Sequence, residues 1–336
     1  MIFLGDHTKN FKVVLLSKVK VKNLRAGGLS NKEFAYSLKR NFFTGTIRRI
    51  YHTNNINQLG YYLAGLIEGD GSIILRKGDR EKTSPKFVFT FHKNEIRLFE
   101  KIKEILDGTG SINIEPSGIG RYSITNADAV IKLINMVNGK FRTPKIVALH
   151  KAIDNLNQWR DANLPKLPLD TSSLDSNAWL AGFIDADGHF SIKLSGQYGT
   201  DDSTVRGRVQ CVFSINQSEL NRTSGESNVP FMTKLAEFFQ VNLLYKTEKS
   251  ALFKEDAKKV VFFAQADRKH YIITSYLTKF PLKSSKHLNY LAFYKGLEYL
   301  GKRLTSEEIL EIRALKNSMN NKRTYYNWDH LNNFYT

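Results

Sequence analysis

Apolar residues fall into two successive series of the same order along the chain. The first opens with an apolar stretch of helical periodicity over 59–67, which stops at Asp70-Gly71. Strand-like runs follow at 72–76, 86–91, 111–115 and 121–125. Between the second and third of these, Ile96, Phe99, Ile102 and Leu106 share one stripe and predict a helix over 94–106. Two more helices are predicted near 127–137 and 144–156. Residues 164–177 carry Pro165, Pro168 and Thr171-Ser172-Ser173, and read as a linker. The series then restarts. An apolar helix over 178–184 ends at Asp187-Gly188, with strands at 190–194, 206–215, 241–245 and 260–264. Helices are predicted near 231–239, 269–278 and 288–300.

Both halves thus read helix, two strands, helix, two strands, helix, helix. Val88-Phe89-Thr90-Phe91 aligns with Val212-Phe213-Ser214-Ile215, and Asn94-Glu95 with Ser218-Glu219. A single duplication explains the pattern. It predicts an α+β molecule of two pseudo-symmetric αββαββα(α) halves. The expected divisions are a basic extension (1–57), a first repeat (58–160), a linker (161–177), a second repeat (178–302), and a C-terminal helix and tail (303–336). A mixed-charge helix is expected over 306–318, solvated, followed by an aromatic tail over 325–335 that either packs back on the core or stays loose.

The strongest signal is a nonapeptide present twice, Leu63-Ala64-Gly65-Leu66-Ile67-Glu68-Gly69-Asp70-Gly71 and Leu180-Ala181-Gly182-Phe183-Ile184-Asp185-Ala186-Asp187-Gly188. Gly65 and Gly69 share a helix face, as do Gly182 and Ala186, and small residues at this spacing let two helices approach backbone to backbone. These four residues are the expected interface between the halves. Each helix would end on an aspartate followed by a glycine suited to a left-handed cap. A carboxylate at the negative end of a helix is electrostatically misplaced. Two such ends side by side repel, and a divalent cation between them removes the conflict. The alternative is that Asp-Gly is a common turn.

The two nonapeptides resemble the LAGLIDADG homing endonuclease family in its single-chain, two-motif form, found in organellar group I introns. The resemblance spans roughly residues 59–300. It implies motif helices packed at the centre, and antiparallel sheets forming a saddle that binds double-stranded DNA. It implies metal-dependent phosphodiester hydrolysis at a long asymmetric site, with one aspartate per strand and short 3′ overhangs. By the resemblance Asp70 and Asp187 hold the metal, with the carbonyls of Gly69 and Ala186 completing the shell. Mg²⁺ is the expected ion, Mn²⁺ an acceptable one, and Ca²⁺ one that binds without efficient cleavage. Glu68 and Asp185 are read as structural. Lys145 and Lys286, in Thr143-Pro144-Lys145 and Ser284-Ser285-Lys286, are candidates for stabilising phosphate charge, or else ordinary lysines at a helix start. Gln217 fits the family's water-positioning amide. Lys93 stands at its partner position in the sequence alignment, which would make the two sites unequal.

Charge agrees with a polyanionic partner. The 336 residues include 50 basic and 32 acidic side chains, a formal net charge of +18. Strand side chains alternate faces. Ser72, Ile74 and Arg76 therefore share one face with Lys86, Val88 and Thr90, with Asn113 and Glu115 as weaker candidates. His189, Ser191 and Lys193 share another with Arg208, Gln210, Val212 and Ser214. These faces are the expected DNA contacts, in the major groove where base edges are distinguishable. The alternative is a solvated polar face.

Cys211 is the lone cysteine, which excludes an intramolecular disulfide and a Cys-rich zinc site. The sequence contains no HExxH motif and no Walker loop. It has no apolar run long enough to span a membrane. Abundant Asn, Lys, Ile, Tyr and Phe, with AT-rich codons, point to a mitochondrion or another organelle. Two half-sites in one chain predict a monomer. Besides an active nuclease, two readings stay open: an intron RNA maturase that binds its host intron RNA, and a DNA-binding relic that no longer cuts.

Overall fold

The duplicated pattern folds as a duplicated structure. The structure, a computed structural model, describes residues 55–75, 83–195, 208–221, 224–248, 257–264 and 267–335. The expected basic extension up to residue 54 and the candidate Arg76 lie outside the described residues. The first half runs α1 (Asn55–Asp70), β1 (Gly71–Ile74), β2 (Lys86–His92), α2 (Ile96–Ile105), β3 (Ser111–Ile114), β4 (Ile119–Ile124), α3 (Ala127–Val137) and α4 (Ile146–Arg160). The second runs α5 (Trp179–Asp187), β5 (Gly188–Ser195), β6 (Arg208–Ser218), α6 (Val229–Phe238), β7 (Leu244–Glu248), β8 (Ala257–Ala264), α7 (Asp267–Lys279) and α8 (Lys286–Gly296). A further helix, α9 (Ser306–Asn317), precedes the tail. The α+β class and the repeated element order are as expected.

Each half builds a four-stranded antiparallel sheet, ordered β1-β2-β4-β3 and β5-β6-β8-β7. Alternation along each strand divides the faces. In β1, Gly71 and Ile73 are buried while Ser72 and Ile74 are exposed. The covered face of the first sheet holds Phe87, Phe89, Phe91 and Tyr122, with Phe99 of α2 stacked on Phe91 at 4.0 Å. The second holds Phe190, Phe213 and Phe262, closed by Phe239 and Phe293.

The strand expected at 241–245 begins instead at Leu244. Helix α6 closes with Gln240 at φ 54° and a hydrogen bond from Val241 N to Ala236 O, so Val241 belongs to the helix end and not to the strand. Helix α9 also differs from expectation. Its charges hide an apolar stripe, and Ile309 and Ile312 are buried. Thr305 and Glu308 form a capping box at its start. The aromatic tail packs back on the core. Phe334 and Tyr335 meet the Tyr62 ring at 5.5 and 5.3 Å, and Lys283 Nζ donates to Asn333 O at 2.7 Å. The linker is fastened too, by a buried Arg142–Asp170 ion pair and by Asp170 N donating to Phe141 O.

Candidate active site at the paired motif helices

Helices α1 and α5 touch at their small residues. A Cβ on Gly65 would stand 2.0 Å from Trp179 O, and one on Gly182 would stand 1.9 Å from Tyr62 O. One turn on, a Cβ on Gly69 would stand 2.1 Å from that of Ala186. The Ala at 186 fits because its partner is Gly. Leu63, Leu66, Ile67, Leu180, Phe183 and Ile184 are buried around this seam.

The backbone approach delivers the two helix C-termini, and with them Asp70 and Asp187, to one place. The following glycines are not left-handed caps. Gly188 is extended (φ −72°, ψ 146°). Glycine is needed at 71 and 188 for space, since a Cβ would come within 2.7 Å of Ile67 O and of Ile184 O. The terminal carbonyls are satisfied by lysine instead. Lys145 Nζ donates to Ile67 O (3.0 Å), Gly69 O (3.1 Å) and Gly71 O (2.8 Å). Lys286 Nζ donates to Ile184 O (3.4 Å) and to Ala186 O. A cation at the negative end of each helix is the complement of its dipole. The carbonyls expected to complete a metal shell, of Gly69 and Ala186, thus serve as acceptors for these lysines.

The charge conflict expected at the helix ends is present. The Asp70 side chain reaches solvent but protein flanks it. Its carboxyl is pushed up to about 7, by burial first and by the Asp187 charge second, against the opposing pull of Lys286 and Lys145. Asp187 is pushed up to about 6 by burial, with Lys286, Lys145 and a hydrogen bond from Gln217 opposing. Burial lowers the Lys145 ammonium. Among the described residues no group of three or more His, Cys, Asp or Glu could hold a metal. Two carboxylates brought to one place are oxygen donors of the kind a hard divalent cation takes.

Gln217 Nε2 donates to Asp187 Oδ2 at 2.6 Å. Lys93 is not its counterpart. The register pairs Gly71 with Phe89 and Gly188 with Ile215, so Phe91 stands where Gln217 stands in the other half. Lys93 lies exposed beside the Gly118 turn. A shift of two residues preserves the alternation of faces, so apolar pattern alone does not detect it.

Glu68 and Asp185 are buried at 4% and 5% exposure. Glu68 accepts from Arg142 N, Thr143 N and Thr143 Oγ1 at 2.6–2.9 Å. Asp185 accepts from Lys283 N, Ser284 N and Ser284 Oγ. Each acid thereby pins the loop that carries Lys145 or Lys286. One residue was named in the repeat alignment but not read as part of the site. Glu95, from the first half, accepts from Ser285 N at 2.9 Å and from Ser285 Oγ, and so braces the Lys286 loop of the second. Pro144 occupies the equivalent place in the first half and has no N–H to offer. No local pattern announces a contact across 190 residues.

The open sheet faces bring together most of the candidate DNA contacts. Ser72, Ile74, Thr90, His189, Lys193 and Arg208 are exposed there, and Lys86, Ser191 and Gln210 are half-buried. Protein packed beside the partly open His189 ring first, and the Lys286 charge second, lower its imidazole. Ser214 departs from expectation. It is 3% exposed, paired between His189 and Phe263, and does not reach a groove. Pairing of β2 with β4 adds residues from strands that alternation could not order. Arg121 lies beside Thr90 and Asn113, and Ser123 beside Val88 and Ser111. Asn216 and the Lys246–Lys259 pair extend the second face. Among the described residues no helix is long and apolar enough to cross a membrane.

The profile of the LAGLIDADG endonuclease family matches residues 63–156 and 180–297, more than half of the chain. Among similar proteins, the intron-encoded DNA endonuclease aI3 of Saccharomyces cerevisiae is 29% identical over 311 residues, covering 84% of this chain and 74% of its own. A cox1 intron-2 protein of Schizosaccharomyces pombe is 24% identical over 319 residues, covering 91% and 88%. The intron-encoded RNA maturase bI4 of Saccharomyces cerevisiae is 28% identical over 239 residues, covering 70% of this chain and 32% of its own. The LAGLIDADG homing endonuclease I-GzeII, solved in complex with its DNA target, shares the fold at TM-score 0.55 and 17% identity, covering 79% of this chain and 99% of its own. I-LtrWI, bound to target DNA, does so at 0.54 and 18%, covering 80% and 100%. Two matched copies, each ending its motif helix on an aspartate at one shared seam, establish that this chain belongs to the LAGLIDADG endonuclease family.

Proposed function

We propose that the protein is a site-specific homing endonuclease that cuts both strands of a long, asymmetric DNA duplex and leaves short 3′ overhangs. The carrying observation is the pair of helix-terminal carboxylates, Asp70 and Asp187, held at one seam with a lysine behind each. Asp70 and Asp187 would hold divalent metal, with Mg²⁺ or Mn²⁺ supplying Lewis acidity and an activated water. Lys145 and Lys286 bring positive charge to the reacting phosphates from fixed positions on the helix carbonyls, so little reorganisation is required. Gln217 orients the Asp187 carboxylate and has an amide oxygen left to accept from water. The two sheet faces differ in sequence, which suits an asymmetric target. Both half-sites lie in one chain, so a monomer suffices. The intron-encoded character of the relatives supports a mitochondrial or other organellar location. The similarity to an RNA maturase supports intron RNA binding as a second reading.

Cleavage of a randomised duplex library with Mg²⁺ is the direct test. Defined cuts with short 3′ overhangs support the nuclease. Enrichment of a sequence without cutting makes the protein a binding relic. If the protein neither cuts nor enriches DNA, but splices a host intron in vitro, the maturase reading takes precedence.

Two further results are expected. First, the sites are unequal, because Asp187 has an amide partner where the first half places Phe91. Gln217→Leu is expected to slow one strand about tenfold more than the other. Equal slowing in a strand-resolved nicking assay rejects the inequality. Second, metal binding and pH are linked. Both aspartates sit above their unfolded carboxyl value near 4. The stability they contribute to the metal-free protein is therefore fully present below about pH 4 and lost as pH rises through about 6 to 7. Mg²⁺ binds the ionised forms, so its stabilising effect is expected to be larger near pH 8 than near pH 5.5. Thermal melts with and without Mg²⁺ at both pH values check this, and an equal shift at the two contradicts it.

A further inference from the structure

The buried acids Glu68 and Asp185 each have a donor from the opposite half. Trp179, on α5, donates its indole N–H to Glu68 Oε2 of α1 at 2.6 Å. Tyr62, on α1, donates its hydroxyl to Asp185 Oδ2 of α5 at 2.8 Å. Tyr62 and Trp179 are the residues just before the two nonapeptides, 117 positions apart like the motifs themselves. Both are fully buried. The two bonds therefore cross the seam in opposite directions and are equivalent under the pseudo-two-fold.

From each acid the chain of contacts continues within its own half. Thr143 Oγ1 donates to Glu68 and accepts from Lys145 N at 3.3 Å, and Lys145 Nζ then reaches the end of α1. Ser284 Oγ donates to Asp185 and accepts from Lys286 N at 3.1 Å, and Lys286 Nζ reaches the end of α5. A buried carboxylate with a full set of donors fixes their geometry, and removing one donor leaves the remainder to readjust.

We infer that Tyr62 and Trp179 are crossed positioning residues: each sets the lysine loop of the half to which it does not belong. Tyr62 acts on Lys286 through Asp185, and Trp179 acts on Lys145 through Glu68. The pair links the two half-sites, so that the loops are correctly placed only when the motif helices are docked. This inference rests on the endonuclease reading for its effect on cutting, but its wiring is measurable without DNA.

Hydrogen exchange on the full chain tests the wiring. Tyr62→Phe keeps the ring against Phe334 and Tyr335 and removes the hydroxyl. It is expected to speed exchange of the Lys283 and Ser284 amides about three- to tenfold, the worth of one hydrogen bond, and to leave Arg142 and Thr143 unchanged. Trp179→Phe is expected to do the reverse. Faster exchange confined to the variant's own half, or equal in both loops, overturns the inference. Should Trp179→Phe not fold, Tyr62→Phe alone decides, since it preserves the packing. On a duplex recovered from the library, Tyr62→Phe is then expected to share the strand bias of Lys286→Met, and Trp179→Phe that of Lys145→Met, at unchanged duplex affinity. Strand bias following the variant's own half also overturns it. If the wild type cuts no duplex while the exchange pattern is as expected, the endonuclease reading fails and the wiring stands.

Discussion

Asp187→Asn is expected to reduce double-strand cleavage on the order of 10³-fold while leaving duplex affinity largely unchanged. The asparagine keeps the shape and the hydrogen-bond reach of the side chain. It removes the charge that two helix termini, two lysines and a glutamine are arranged around. DNA affinity is supplied elsewhere, by the sheet faces and the net charge of +18. The same substitution at Asp70 has a second expected signature. The Asp70 carboxyl is held at about 7, so its ionised form is disfavoured in the metal-free fold. At about pH 8 Asp70→Asn is therefore expected to raise the melting temperature of the metal-free protein and to shrink the further rise that Mg²⁺ gives. Cleavage kinetics, duplex binding and melting on the same preparations decide the matter. A variant that cuts at the wild-type rate, or that loses activity together with affinity, removes Asp187 from the chemistry.

Gly182→Ala is the second large effect. A single methyl at 182 would enter to 1.9 Å from Tyr62 O and 2.9 Å from Leu66 N, all backbone. Backbone in the middle of a helix has nowhere to relax except by moving the whole helix. The seam at Gly65 is equally closed, 2.0 Å from Trp179 O, so the displacement cannot be taken up one turn away. Interiors packed to crystal density resist such insertions, and a loss of about 3 kcal/mol is expected. For a unit of this size that is a fall in melting temperature of roughly 5–10 °C. Cleavage should fall with it at temperatures where the variant is still folded, because separating α1 from α5 separates Asp70 from Asp187. A variant that melts with the wild type would show that the helices do not meet at these glycines.

The contrast between Phe91 and Lys93 shows what alternation along a strand can and cannot specify. It separates the covered face from the open one, and it placed Ser72, Ile74, His189 and Lys193 correctly on the open face. It is blind to a slip of two residues, which leaves every side chain on its proper face while changing its neighbour. Gln217, near the end of the second strand after the Asp187 motif, was read from the family resemblance and not from the apolar pattern. Its counterpart was misplaced because only pairing with Gly71 and Gly188 fixes the equivalence. Ser214 shows a second limit. Its parity is that of the open face, but burial depends on what His189 and Phe263 cover beside it.

The amino-acid sequence by itself determined the duplication, the α+β element order, the small-residue seam and the two aspartates, because these are local periodicities and short motifs that repeat. Only the tertiary structure decided the rest. Sheet order put Arg121 and Ser123 on the open face, since β4 is sequence-distant from β2 but bonded to it. Docking of the halves brought Glu95 to Ser285, Tyr62 to Asp185 and Trp179 to Glu68. Such contacts join residues 100 or more positions apart and leave no periodic trace, because the partner of a buried polar atom is set by which backbones meet and not by its neighbours in the chain.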